Sequence, residues 1–397
     1  MLWFHIKIMA LISTKPRILV VDDVPQNVRL LELNLKSEGY EVIPAYNGQE
    51  ALEKVESESP DLILLDIMMP AMDGNEVCRI IRKKQRNRWI PIVMITAYEG
   101  GTEKRIQSLN DGADDFIKKP FDRYELLARV RSLLRVKNLQ DEIIAANKRF
   151  EEELALAKEV QQALMPHSYP EVSNIEFCHR YIPSLIVGGD FFDIERLTPS
   201  KVAVIICDVM GHGPQAAMIT GIVKTLLVQL KDEVITPDLA LLKLNQQFYS
   251  LMQSSNLPIF ITAFTAIIDT NSGIMSYSNA GHPRPYIIKT QADNFMELSG
   301  EIGSALGMMP DVSYQCYEIQ LDDSDMVFMF TDGLVELSNN ERIQFGKEEM
   351  QKAISHNLHI SPKAFIESMI YSAEAFADGF YTEDDLTLLV FRYNHTQ

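Results

Sequence analysis

The chain has 397 residues, enough for two domains with separate cores and too many to be comfortable as one. Hydrophobic residues make up 46% and charged residues 23%, the ordinary balance of a globular chain. Its 37 Lys and Arg stand against 55 Asp and Glu, a net charge of −18, and a field of that sign repels phosphate backbones and excludes nucleic acid as the expected partner.

Met1 to Ser13 is apolar with one Lys, too short to span a bilayer and without a small-residue cleavage site. It reads as an N-terminal extension, residues 1–15, with Met9 an alternative start. Cys78, Cys178, Cys207 and Cys316 are scattered without a CxxC pair, which suits a reducing compartment. The expectation is a cytoplasmic protein with no membrane contact.

Short apolar runs then alternate with amphipathic stretches. Arg17–Val21, Leu62–Leu65 and Ile90–Ile95 read as buried strands, and Gln26–Ser37, Gly48–Glu58, Gly74–Lys84 and Arg123–Leu134 carry helical periodicity. Basic residues between Arg79 and Arg88 read as a solvated helix end. The alternation predicts a doubly wound α/β sheet with its site at the carboxyl ends of the strands. Asp22 and Asp23 end the first strand, Asp66 the third and Thr96 the fourth; Lys119 precedes Pro120 just after a fifth, Asp115–Lys118. Three gathered carboxylates repel one another unless a hard cation such as Mg²⁺ joins them. A carboxylate beside that ion can take a phosphoryl group, with Thr96 and Lys119 placed to bind its oxygens.

A single Asp at a strand end is usually a turn residue, but five such residues at successive strand ends are a pattern. With Leu62-Ile-Leu-Leu-Asp66-Ile-Met-Met-Pro70, residues 16–136 resemble the receiver domain of two-component response regulators, a flavodoxin-like fold. The resemblance implies Asp66 as phosphoacceptor, with Asp22, Asp23, Asp66 and the Met68 carbonyl at Mg²⁺. It places Thr96, Phe116 and Lys119 in the switch that reports phosphorylation, and a sensor histidine kinase upstream. Of the neighbours Lys118 and Lys119, the one abutting Pro120 is chosen.

No Gly or Pro interrupts Val136 to Met165, so residues 137–165 are expected to form a helical linker. Val136, Leu139, Ile143, Ala146, Phe150, Ala157, Val160 and Leu164 fall on one seam at 3–4 spacing, with Glu153 in the remaining core position. That pattern predicts a short, imperfect coiled coil and a parallel homodimer, against the alternative of an amphipathic helix lying on its own domain.

Residues 166–394 read as an α+β sandwich. Thr220–Leu230, Leu239–Met252 and Ala364–Phe376 are the expected helices; Ile261–Asp269, Ile274–Asn279, Pro285–Lys289, Asp325–Phe330 and Leu386–Phe391 are expected strands. Acidic residues again stand at strand ends, in Val187-Gly-Gly-Asp190-Phe-Phe-Asp193, Cys207-Asp208-Val-Met-Gly-His-Gly213, Phe330-Thr-Asp332-Gly333 and Thr382-Glu-Asp384-Asp385-Leu-Thr387. Oxygen ligands without a Cys or His cluster select Mg²⁺ or Mn²⁺ over zinc. Two such ions about 3.5–4 Å apart can bridge a water and clamp a phosphoryl oxygen. His212 and His282, each beside Gly, read as turn histidines rather than general acids.

These four motifs in order, with Glu159-Val-Gln-Gln-Ala-Leu-Met-Pro166, Asn279-Ala-Gly-His-Pro283 and Thr331-Asp-Gly-Leu-Val-Glu336, resemble the SpoIIE/RsbU branch of the metal-dependent (PPM) serine/threonine phosphatases, with an α-β-β-α sandwich. The resemblance implies a catalytic, metal-binding set of Asp190, Asp208, Asp332 and Asp384 holding two Mn²⁺ or Mg²⁺, joined by the Val209 carbonyl. Asp193 and Asp385 are expected just outside it. It also implies a phosphorylated STAS-type anti-sigma-factor antagonist as substrate, acting in trans because no STAS or kinase segment is visible. The rival is an adaptor that binds a sigma-pathway partner without chemistry; the complete acidic set favours the enzyme.

Overall fold

In a computed structural model the described residues are 15–84, 89–96, 111–230, 236–253, 258–378 and 384–395. The N-terminal extension, apart from residue 15, and the end of the basic run at 85–88 lie outside them. Two units divide the chain, Met1–Arg149 and Phe150–Gln397.

In the first unit, β1 (Arg17–Val21), β2 (Glu41–Ala45), β3 (Leu62–Asp66), β4 (Ile92–Thr96) and β5 (Asp115–Lys118) form one parallel sheet, ordered β2-β1-β3-β4-β5. The strands are apolar on both faces because both faces are covered. Ile18, Val20, Leu62, Leu64, Val93 and Ile95 enter one core with α1 (Pro25–Lys36) and the first turns of the last helix. Leu19, Val21, Ile63, Leu65, Ile92 and Met94 enter the other with α2 (Gly48–Glu58) and α3 (Gly74–Lys84). Strand β4 begins two residues later than the apolar run suggests. Pro91 has no N–H for the ladder, although its carbonyl accepts from Ile63 at 2.9 Å.

Helix α4 runs without a break from Arg123 to Leu164, 42 residues, so the expected short helix and the linker are one element. Leu126, Leu127, Val130 and Leu134 are buried in the first unit. Lys137 is also buried, paired with Asp141 on its own helix and with Asp61 at 3.7 Å. Val136 just before it, and Leu139, Ile143, Phe150 and Val160 after it, all of the seam, are exposed in the single chain.

The second unit stacks two antiparallel sheets. One contains β7 (Asp190–Thr198), β8 (Lys201–Val209), β9 (Ile261–Asp269), β10 (Ile274–Ala280) and β13 (Tyr317–Gln320), ordered β13-β10-β9-β8-β7. The other contains β6 (Ile175–Ile182), β11 (Tyr286–Lys289), β12 (Asn294–Glu297), β14 (Met326–Phe330) and β15 (Leu386–Tyr393), ordered β12-β11-β14-β15-β6. Phe192, Ile206, Phe264, Met329, Leu389 and Phe391 fill the space between them. Helices α5 (Pro214–Leu230) and α6 (Pro237–Met252) cover the first sheet. The short α7 (Gly333–Glu336) with α8 (Gly346–Ser355) and α9 (Pro362–Ala377) cover the second. The result is the α-β-β-α sandwich. Helix α5 starts six residues before the sequence reading placed it, because Pro214 suits a first helical turn and Ala216 is buried despite its weak apolar signal.

Candidate metal and phosphoryl sites

In the first unit the parallel strands deliver Asp22, Asp23 and Asp66 to one edge, with ligand oxygens all within 4.8 Å of one another. Asp22 is buried and held by the Val24 N–H at 2.9 Å and by the Asn27 amide at 3.0 and 3.1 Å. Lys119 reaches the same cluster, its Nζ 2.7 Å from Asp22 and 3.1 Å from Asp66, whereas Lys118 is exposed. Burial pushes the Asp66 carboxyl above its ordinary value; Lys119 pulls it down, and Asp22 and Asp23 push it up again. For Lys119, burial disfavours the charge, but the two carboxylates outweigh it and raise the amine. Thr96 is buried at the end of β4, and its carbonyl accepts the Lys119 N–H at 2.6 Å. Phe116 packs half-buried against the α2–α3 core, and the Met68 side chain is exposed. Three carboxylates sharing one lysine keep enough negative charge for a hard divalent cation.

In the second unit β7 and β8 pair with Asp190 directly opposite Asp208. Side chains alternate along a strand, so Asp190 shares the inner face with Phe192 and Ile194, while Phe191 and Asp193 face the helices. That corrects the expectation for Asp193: it pairs with Lys224 of α5 at 2.7 Å instead of flanking the acidic set. Asp385, by its charge, raises the carboxyls of both Asp190 and Asp208. Its carboxylate accepts the Ser184 N–H and hydroxyl at 2.7 and 3.0 Å and the Gly189 N–H. A Cβ at Gly188 would lie 2.5 Å from that carboxylate, and one at Gly333 would lie 2.0 Å from the Asp385 carbonyl, so both positions require glycine. Gln161, buried near the end of α4, holds the same loop through the Gly188 carbonyl at 2.6 Å and N–H at 3.3 Å.

The acidic set is under strain from its own charge. Asp208 is pushed up to about 8, by burial first and then by Asp332, Asp384, Asp385 and Glu336. Asp332 rises to about 6, by burial and then by Glu336 and Asp384. Asp190 is raised by burial and Asp208, against the hydroxyls of Thr387 and Thr331. Among the described residues no Lys or Arg pairs with Asp190, Asp208, Asp332 or Asp384. Buried and half-buried carboxylates with no protein cation among the described residues fit divalent metal. The Val209 carbonyl lies against Gly189 in the same region.

His282 is buried, its Nδ1 paired with the Thr262 hydroxyl at 2.8 Å and its backbone locked to Asn279. Burial drives its imidazole down to about 3, so it is a neutral structural group. His212 is exposed. The sequence reading gave no role to Thr331, Thr387, Gln161 or Glu336. Each lies inside a motif already singled out, where its carboxylate neighbours carried the signal.

The first unit is a doubly wound parallel α/β sheet with a carboxylate cluster at its edge, and the second is an α-β-β-α sandwich with its own acidic set. Residues 18–131 match the response regulator receiver domain family, and residues 198–394 match Stage II sporulation protein E (SpoIIE). The chain therefore joins a segment that matches the receiver family to one that matches SpoIIE. Response regulator PleD of Caulobacter vibrioides is 53% identical over 127 residues, 32% of this chain and only 28% of that relative. The SiaA-PP2C domain of Pseudomonas aeruginosa superposes with a TM-score of 0.57 at 20% identity, covering 63% of this chain and 99% of that one. The PP2C phosphatase domain of SpoIIE from Bacillus subtilis, with a fragment of its regulatory domain, gives a TM-score of 0.48 at 20% identity, over 56% of this chain and 64% of that one. Among the described residues no helix is long and apolar enough to cross a membrane.

Proposed function

We propose that this chain is a cytoplasmic response regulator in which phosphorylation of Asp66 by a sensor histidine kinase controls a metal-dependent phosphoserine/phosphothreonine protein phosphatase. The observation that carries the reading is the acidic set of buried Asp190 and half-buried Asp208, Asp332 and Asp384, in which Asp190, Asp208 and Asp332 are raised by neighbouring carboxylates and which pairs with no Lys or Arg among the described residues. These carboxylates and the Val209 carbonyl would hold two Mn²⁺ or Mg²⁺, and Asp22, Asp23, Asp66 and the Met68 carbonyl one Mg²⁺. When bound, the paired ions supply a water of lowered pKa and a clamp on a phosphoryl oxygen. Asp385 holds the Ser184–Gly189 loop, and through it the start of β7, in place. His282 takes no proton because its ring is sealed in the core.

The substrate we infer is a phosphorylated STAS-domain anti-sigma-factor antagonist, supplied in trans. The exposed seam on α4 supports a homodimer joined along that helix. The test is Mn²⁺-dependent hydrolysis by the full chain, on p-nitrophenyl phosphate and on a panel of phosphorylated STAS proteins. Asp332→Asn should lower turnover by at least about a hundredfold while the fold survives. Undiminished turnover in that variant would defeat the metal assignment, and no turnover by the parent would favour the adaptor.

A further inference from the structure

The metal reading leaves one feature of Asp190 unexplained. Its carboxylate is 1% exposed and its two oxygens are treated differently. Oδ2 accepts two hydroxyls, from Thr331 at 2.7 Å and Thr387 at 2.6 Å. Oδ1 takes no hydrogen bond from any described residue. Both threonines are completely buried, and they come from the sheet opposite Asp190, at the end of β14 and on β15.

The Thr331 hydroxyl is itself fixed, and the two threonine backbones are bonded to each other. The Thr331 N–H donates to the Thr387 carbonyl at 3.1 Å, and the Thr387 N–H donates to the Thr331 hydroxyl oxygen at 2.9 Å. A hydroxyl has one proton to give, and with its oxygen already accepting from Thr387, the Thr331 proton is directed at Asp190. A carboxylate rotates easily about its terminal torsion, which is broad and roughly two-fold. Two donors on one oxygen stop that rotation. A hydroxyl also adds no charge, whereas a lysine at the same place would partly neutralise the carboxylate, as Lys119 does for Asp22 and Asp66.

We propose that Thr331 and Thr387 form a hydroxyl clamp that presents Asp190 to metal through Oδ1 alone, making both threonines positioning residues of the phosphatase centre. The clamp rests on the metal reading above. It also gives a physical reason for threonine before Asp332-Gly333 and two residues after Asp385. Outer hydrogen-bond partners of metal ligands typically carry tenfold to a hundredfold in metal affinity.

The measurement is Mn²⁺ binding to the full chain, by electron paramagnetic resonance of the free ion, in an Asp23→Asn background that disables the receiver's cation site. Thr331→Val and Thr387→Val each exchange a hydroxyl for a methyl of similar size. Each should weaken the tightest remaining site about tenfold, and both together should approach a hundredfold. Thr387→Ser, which keeps the hydroxyl, should retain the parent affinity. Circular dichroism establishes folding; if neither Val variant folds, Thr387→Cys, with its weak donor, takes the same place in the titration. Val or Cys variants that bind like the parent, or a Ser variant as weak as Val, would overturn the clamp alone. A background protein that binds no Mn²⁺ would overturn the metal reading and the clamp with it.

Discussion

Removing a metal ligand should make the metal-free phosphatase domain more stable. Asp208 is the clearest case, because burial and four neighbouring carboxylates push its carboxyl up to about 8 from an ordinary 3.8. A carboxyl raised in the folded state binds its proton more tightly there than in the unfolded chain. Its contribution is therefore harmless below about pH 4 and grows more destabilising as pH climbs from about 4 to about 8. At about 1.4 kcal/mol per pH unit the shift has an upper bound of about 6 kcal/mol. The repulsion is shared with Asp332, and water enters a metal-free site, so about 2–3 kcal/mol at pH 8 is the reasonable figure. Asp208→Asn is neutral at every pH and keeps the shape. In EDTA near pH 8 its phosphatase transition should lie about 4–10 °C above the parent's, with the two converging near pH 5. Differential scanning calorimetry reads this, with the receiver transition as internal reference. Mn²⁺ should then stabilise the parent more than the variant. A variant that melts at or below the parent at pH 8 in EDTA, or that shows the same pH dependence, would refute the repulsion argument.

Two further outcomes test the receiver and its connection. Asp66→Asn should take up no hydroxylamine-labile phosphate from acetyl phosphate, because Asp66 sits beside the Asp22/Asp23 pair and Lys119, whereas Asp22 is fully buried; intact-mass analysis showing full labelling would exclude Asp66 as the acceptor. Inserting four residues near Ala146 keeps α4 helical but rotates its seam, whereas seven residues restore it. The four-residue insertion should uncouple turnover from Asp66 phosphorylation and the seven-residue one should retain much of the response. Equal responses in both would mean the helix is only a tether.

The receiver was almost fully legible because its strands are apolar on both faces and its chemistry stands at their ends. Leu62–Asp66 is buried along its whole length and ends on the proposed acceptor. The phosphatase domain was legible where buried strands meet acidic turns, and less so at its margins. Strand β6, at a sheet edge, mixes His179 and Arg180 with apolar residues, so it shows no clean period. Asp193 misled because GGDxxD looks like one acidic group in sequence, whereas a spacing of three puts its two carboxylates on opposite faces of a strand. Thr331 and Thr387 could not be found by charge. Their role depends on β14 pairing with β15, a contact between distant segments that no local pattern encodes.

The contrast between the two acidic centres bears on enzyme against adaptor. In the receiver, Lys119 lies within 2.7 and 3.1 Å of two of the three carboxylates, so the cluster is partly compensated by the protein itself. In the phosphatase domain Asp190 receives only uncharged hydroxyls, and Asp208 and Asp332 are raised by their neighbours with no lysine among the causes. Such a set lowers the stability of the metal-free fold, and any one of several neutral substitutions would relieve it. An adaptor that never binds metal gains nothing from one buried and three half-buried carboxylates and is more stable without them. Their joint presence is intelligible if cations occupy the site in the working protein, because only bound cations turn the repulsion into attraction. The energetic cost of the site is thus itself an argument for its chemistry.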